Sequence, residues 1–166
     1  AKTDAAMLPS GDKAPKSWKR GQSSGSELQF RVDDVSGSQV GSAAISVVGP
    51  AMGEDSERGR YKKLAGVPTT SLRREVINQM VRENGWVVND YQKQIGGKKV
   101  YVVEAQSQSG STVNARMFYF TEVGGRIYSV STNSKSGSAE RLAEESEKVI
   151  HSLQNGSSTQ RAAAKE

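Results

Sequence analysis

The sequence predicts an α+β fold, an antiparallel sheet packed by helices, and three observations predict it. An apolar repeat at helical spacing ends at Asn84-Gly85, four strand-like runs follow with short glycine-bearing turns between them, and a second amphipathic stretch closes the series.

In the first helix, Pro68-Thr69-Thr70-Ser71 supplies helix-start chemistry, and Leu72, Val76, Ile77, Met80 and Val81 form the apolar repeat. Arg73, Arg74, Asn78, Gln79 and Arg82 fall on the other side, and Gly85 accepts the left-handed backbone that ends a helix. The strand runs cover 86–94, 98–106, 112–122 and 126–132, with turns at Gly96-Gly97, Ser109-Gly110 and Gly124-Gly125. Connections this short join only antiparallel neighbours, because a parallel crossover needs about a dozen residues. The result is a meander. In its third run Val113, Ala115, Met117 and Tyr119 alternate with Asn114, Arg116, Phe118 and Phe120, and apolar groups on both faces predict a central strand. Over 138–154, Ala139, Leu142, Ala143, Ser146, Val149, Ile150 and Leu153 line one helical stripe that packs on the sheet.

Upstream, Leu28, Phe30 and Val32 alternate with Gln29 and Arg31, which reads as a half-buried strand. After Ser36-Gly37-Ser38, the run from Ala43 to Val48 ends at Gly49-Pro50, where proline lacks the N–H that pairing needs; the two strands are expected to form a hairpin. Residues 52–67 read as a long surface excursion, and loops of that length are commonly functional. Residues 1–25 lack apolar periodicity and read as a flexible arm, with Trp18 as an anchor on the domain. The expected organisation is an arm over 1–25, a single α+β domain over 26–154 and a flexible tail over 155–166.

At 166 residues, with 34% in the hydrophobic class and a mean hydropathy of −0.62, one domain with polar tails is expected. No run approaches the roughly 18–20 apolar residues of a spanning helix. No charged-then-apolar leader is visible, although a chain beginning Ala1-Lys2-Thr3 equally fits a mature form left after leader removal. The chain has no cysteine, which excludes disulfides, thiolate metal sites and a cysteine nucleophile. That composition suits a periplasmic or extracellular setting and is compatible with the cytosol.

The net charge of +5 favours anionic partners. Its densest cluster, Arg58, Arg60, Tyr61, Lys62 and Lys63, is the candidate anion- or partner-binding site, with Trp86 and Tyr91 as aromatic companions; Lys98-Lys99 is a second basic run. Phosphate neutralisation and base stacking by such residues would suit nucleic acid. A hydrated basic surface, with Tyr61 pinning the loop, accounts for the cluster more simply, and the sequence is read against nucleic acid.

No catalytic set emerges. His151 is the single histidine and lies in the last helix, where a structural place near the C-terminal dipole outweighs a triad role. Glu54, Asp55 and Glu57 have Arg58 and Arg60 beside them, which opposes cation binding, while Glu144 and Lys148 form an i,i+4 pair on a solvated helix face. Gly96-Gly97-Lys98-Lys99 sits at a hairpin and not before a helix, so turn geometry explains its glycines. Neither cofactor nor metal is expected.

From Asn84-Gly85-Trp86 to Leu153 the chain resembles the PsbP-like fold family, which includes bacterial DcrB-type envelope proteins. The resemblance is carried by the preceding helix, by Gly97-Lys98-Lys99-Val100-Tyr101-Val102-Val103, by Arg116-Met117-Phe118-Tyr119-Phe120, by Gly125-Arg126-Ile127-Tyr128-Ser129-Val130, and by a last helix ending Ile150-His151-Ser152-Leu153. It implies an α/β/α sandwich. Members of the family are mostly noncatalytic: photosystem accessory subunits, envelope proteins, and Eag-type chaperones that shield hydrophobic cargo segments.

The expected function is therefore a noncatalytic binding or accessory domain of the bacterial cell envelope that recognises a protein or other surface component. A cytoplasmic chaperone or adaptor shielding an apolar segment is the alternative. A carboxylate-dependent hydrolase or lyase would require convergence of Asp90, Glu104 or Glu122.

Overall fold

The computed structural model describes residues 6–21, 27–53 and 62–164, with side chains through Asn155. Strands β1 (Trp18–Arg20), β2 (Leu28–Asp33) and β3 (Gln39–Pro50) precede a small two-stranded ribbon of β4 (Lys63–Leu64) and β5 (Val67–Pro68). Helix α1 (Thr69–Arg82) follows, then β6 (Gly85–Ile95), β7 (Lys98–Ser109), β8 (Thr112–Val123) and β9 (Arg126–Lys135), a 3-10 turn, and α2 (Ala139–Ala164). The main sheet is antiparallel throughout, in the order β1-β2-β3-β9-β8-β7-β6.

The meander is as the glycine turns require. Gly96 and Gly97 lie at φ 61° and 79°, both in the left-handed region, which is the geometry that follows the twist of a two-residue hairpin. The expected hairpin of β2 and β3 also forms, and β3 pairs with β9 from Gly41↔Ser134 to Pro50↔Arg126, so both halves of the chain share one sheet. At Gly41 a Cβ would strike the Asn133 carbonyl oxygen, and only glycine lets the two strands approach there.

Each sheet face carries its own core. On one side, Val100, Val102, Tyr119, Val130 and Ile45 meet Leu142, Val149, Ile150 and Leu153 of α2. On the other, Tyr101, Val103, Phe118, Phe120 and Ile127 meet Leu72, Val76 and Met80 of α1. A fully buried aliphatic or aromatic side chain contributes about 1.5–3 kcal/mol, so these two stripes dominate what holds the helices down. β8 supplies both cores, as expected of a central strand.

Four expectations are corrected. Over residues 6–21 the segment read as an arm is packed: Ala6, Leu8 and Ala14 are buried beside α2, and Trp18 is 1% exposed. Its ring lies 5.5 Å from that of Phe30, its Nε1 donates to Glu145 at 3.2 Å, and Ser17 Oγ donates to the same carboxylate at 2.6 Å. Second, Ile77 and Val81 leave the α1 stripe; Val81 is 71% exposed, because Leu72, Val76 and Met80 already fill the contact with the sheet. Third, the helical backbone of α2 runs past Gln154, taken as its end, to Ala164. Fourth, the 52–67 excursion contains the β4–β5 ribbon, with Leu64 buried in the α1-side core.

Burial together with the Asp90 hydrogen bond holds the Tyr101 phenol well above its ordinary value of 10.0, and burial does the same for Tyr119. Both phenols ionise more readily in the unfolded chain, so their contribution is full below pH 10.0 and is lost as pH rises beyond it. The thermal midpoint should therefore fall above that pH, with tyrosinate absorbance appearing together with unfolding; Tyr101→Phe should shallow the fall. Trp18→Ala should cost about 3–5 kcal/mol in a denaturant titration, as expected for emptying a filled aromatic site.

Candidate functional site

Of the candidate residues, Arg58, Arg60 and Tyr61 lie outside the described residues. Lys62 is exposed and Lys63 is half-buried in β4. The Lys63 carbonyl accepts from Lys99 Nζ at 3.3 Å and from Gln92 Nε2 at 3.2 Å, which ties the start of β4 to the β6–β7 hairpin. Lys63 and Lys99, far apart in sequence, thus meet at one end of the sheet.

Trp86 does not join them. It pairs with Gln106 near the start of β6, nine residues and about 30 Å along the strand from Ile95 at the basic end. Tyr91 sits midway on the α2 face, opposite Val102, with its phenol raised by burial and by the Glu104 charge. Beside it Lys93 donates to Glu147 of α2 at 2.8 Å, and that bond raises the ammonium above its ordinary range.

The carboxylates proposed for chemistry do not converge, which corrects the enzyme alternative. Asp90 faces α1, where it accepts from Tyr101 Oη at 2.8 Å and pairs with Arg73 at 3.6 Å. Glu104 is on the opposite face, held by Asn89 at 3.3 Å, and Glu122 accepts from the Gly125 N–H at 2.6 Å in the β8–β9 turn. Each carboxylate is bonded to a different neighbour. His151 is exposed, against Gly96 and Asn155. Among the described residues no three His, Cys, Asp or Glu side chains are grouped to hold a metal ion, and no helix is long and apolar enough to cross a membrane.

Two further surfaces escaped the sequence reading. The α1-side face of β2, β3 and β9 lies beyond the helix and forms a trough of about 380 Å³ over Gln29, Ser42, Ala44, Ser131 and Asn133. Its wall is Arg116, which bonds Glu83 twice (3.0 and 3.1 Å), donates to the Thr132 carbonyl at 2.8 Å and lies over the Phe118 ring at 4.8 Å. The other surface is the outer edge of β6, where Trp86, Val88 and Tyr91 are exposed; Ile77 and Val81 of α1 are exposed as well. Apolar residues in the edge strand were the available signal there, while apolar periodicity assigns Ile77 and Val81 to the buried α1 stripe.

The Arg116–Glu83 bond ties the end of α1 to the sheet. Arg116→Ala should destabilise by about 3 kcal/mol, the low end of the 3–5 seen on breaking buried pairs, because Glu83 keeps some contact with water. Arg116→Lys should recover only part of this, since an ammonium cannot make the double bond to Glu83; chemical denaturation of both variants measures the difference.

No protein-family model matches the chain, and no curated protein matches it. Among solved structures, a Bacteroides thetaiotaomicron crystal structure aligns at 19% identity with a TM-score of 0.50, covering 84% of this chain; the chain spans 42% of that protein's length. A Pseudomonas aeruginosa protein of unknown function aligns at 11% identity and a TM-score of 0.51, over 92% of this chain and 96% of that one. Cyanobacterial PsbP (CyanoP) from Synechocystis sp. PCC 6803 aligns at 16% identity and a TM-score of 0.54, over 83% of this chain and 81% of that one. The shared feature is the fold: this chain has the α+β architecture of PsbP, an antiparallel sheet flanked by helices.

Proposed function

We propose that the chain is a noncatalytic binding domain of the bacterial cell envelope that engages a protein or another surface component through the basic end of its sheet. The observation that carries the reading is the hydrogen bond from Lys99 Nζ to the Lys63 carbonyl, which joins two lysine-bearing segments; Arg58, Arg60 and Tyr61 precede Lys62 in the sequence and are included in the proposal on that ground alone. Cations gathered at one border attract an anionic partner more strongly than the same charges dispersed. The commitment of Asp90, Glu104 and Glu122 to separate structural bonds supports binding over catalysis. A cysteine-free chain suits a periplasmic or extracellular compartment, where unpaired thiols are oxidised.

A second reading, a cytoplasmic chaperone or adaptor that shields an apolar segment, is favoured by the exposed Trp86, Val88 and Tyr91. The PsbP-type fold is compatible with either role.

The test is retention of bacterial envelope components on the immobilised chain. The expected result is a retained component that raised salt releases and that Arg58→Glu, Arg60→Glu, Lys62→Glu and Lys63→Glu together reduce about tenfold or more. Retention that is insensitive to salt and unchanged by the four reversals would reject the basic-end reading.

A further inference from the structure

We propose that the outer edge of β6 takes up an extended peptide segment of another protein by strand addition, and that the segment is apolar in its middle and acidic at its ends. The proposal deepens the binding role and rests on it.

The two sheet edges are built differently. β1 is three residues long and carries Lys19 and Arg20, so it offers little backbone to pair with. β6 is eleven residues long, contains no proline and, among the described residues, pairs only with β7. Along its other side the outward N–H and C=O groups of an edge strand ask for a strand partner, and that backbone chemistry specifies an extended peptide.

The side chains along this edge are those a peptide would use. Val88 is the extra residue of a bulge between Val87 and Asn89 and is 57% exposed; Trp86 is 43% exposed. On α1, Arg73 pairs with Asp90 of β6, and Ile77 and Val81 follow at four-residue steps on the same helix face. From Arg73 to Val81 the helix rises about 12 Å, and from Asp90 back to Trp86 the strand covers about 13 Å. Ile77 and Val81, both exposed, continue along α1 the helix face that Arg73 brings to β6. An apolar border thus lies along the edge on the helix side, with Trp86 and Tyr91 on the opposite face.

Charge selects the ends of the segment. Lys93 and Arg73 are neutralised by Glu147 and Asp90, while exposed Arg82 stands just before β6 and exposed Lys98 just after it. A segment with carboxylates at both ends would meet a cation at each. Pairing of β6 with a second copy would instead bring together two chains of net charge +5.

The experiment titrates the full chain with the peptide Glu-Glu-Val-Ser-Val-Thr-Val-Glu-Glu and with the same peptide carrying Lys for each Glu, by calorimetry, and records amide exchange along β6. Expected are binding of the acidic peptide, protection of β6 amides, and about tenfold weaker binding to Trp86→Ser/Val88→Ser, both charge-neutral surface changes. N-methylation of alternate peptide amides should also weaken binding, since it removes the donors a strand would use. Equal binding of the two peptides, or of the N-methylated form, overturns the proposal, as does self-association through β6 in sedimentation. If binding survives the edge variant but is lost with the four reversals at 58–63, the edge inference fails while the basic-end reading stands.

Discussion

Strict alternation of faces along β7, β8 and β9 is the constraint on which the molecule depends. Because α1 and α2 bury opposite faces of the same sheet, a slip of one residue in β7 would send Val100 and Val102 toward α1 and Tyr101 and Val103 toward α2. Both cores would be emptied and refilled with the wrong shapes at once. A sheet covered on one side tolerates such errors on its wet face; this one does not. The bulge in β6 is the exception within the meander, and it falls on the outermost strand, where only one neighbour has to accommodate it.

The same arrangement explains where the surfaces are. α1 covers β6 and β7 but not β2 and β3, so the remaining half of its face must be compatible with water, and Ser42, Ser131, Asn133 and Gln29 make it so. On the other face, α2 and the packed segment 6–21 divide the cover between them, with Glu145 binding Trp18 and Ser17 where the two meet. Arg116 is, among the described residues, the one large cation drawn into the interior, and its three hydrogen bonds and ring contact offset the loss of hydration.

The sheet was legible because its turns are local: Gly96-Gly97 and Gly124-Gly125 determine strand order within a few residues. Pairing of β3 with β9 was not, since nothing within either segment encodes a partner so distant in the chain, as with Gly41 and Ser134. Trp18 was seen as an anchor, but its neighbours Leu8 and Ala14 are too sparse to show a period, and their burial depends on α2. Lys63 and Lys99 are each visible in the sequence as members of basic runs; their contact is made by a backbone carbonyl, which carries no side-chain signature. Val81 was misread because apolar periodicity records what a helix can bury, not how much surface is there to receive it.

Folding order follows from the β3–β9 ladder. The hairpins from β6 to β9 close over two-residue turns, while Ile45 must find Val130 across a long span of chain. Loop closure costs entropy before any contact offsets it, so the local hairpins are favoured to form first and this pairing last. Until β3 arrives, β9 is an open edge with Val130 uncovered, and the nascent chain carries its greatest aggregation hazard in that interval.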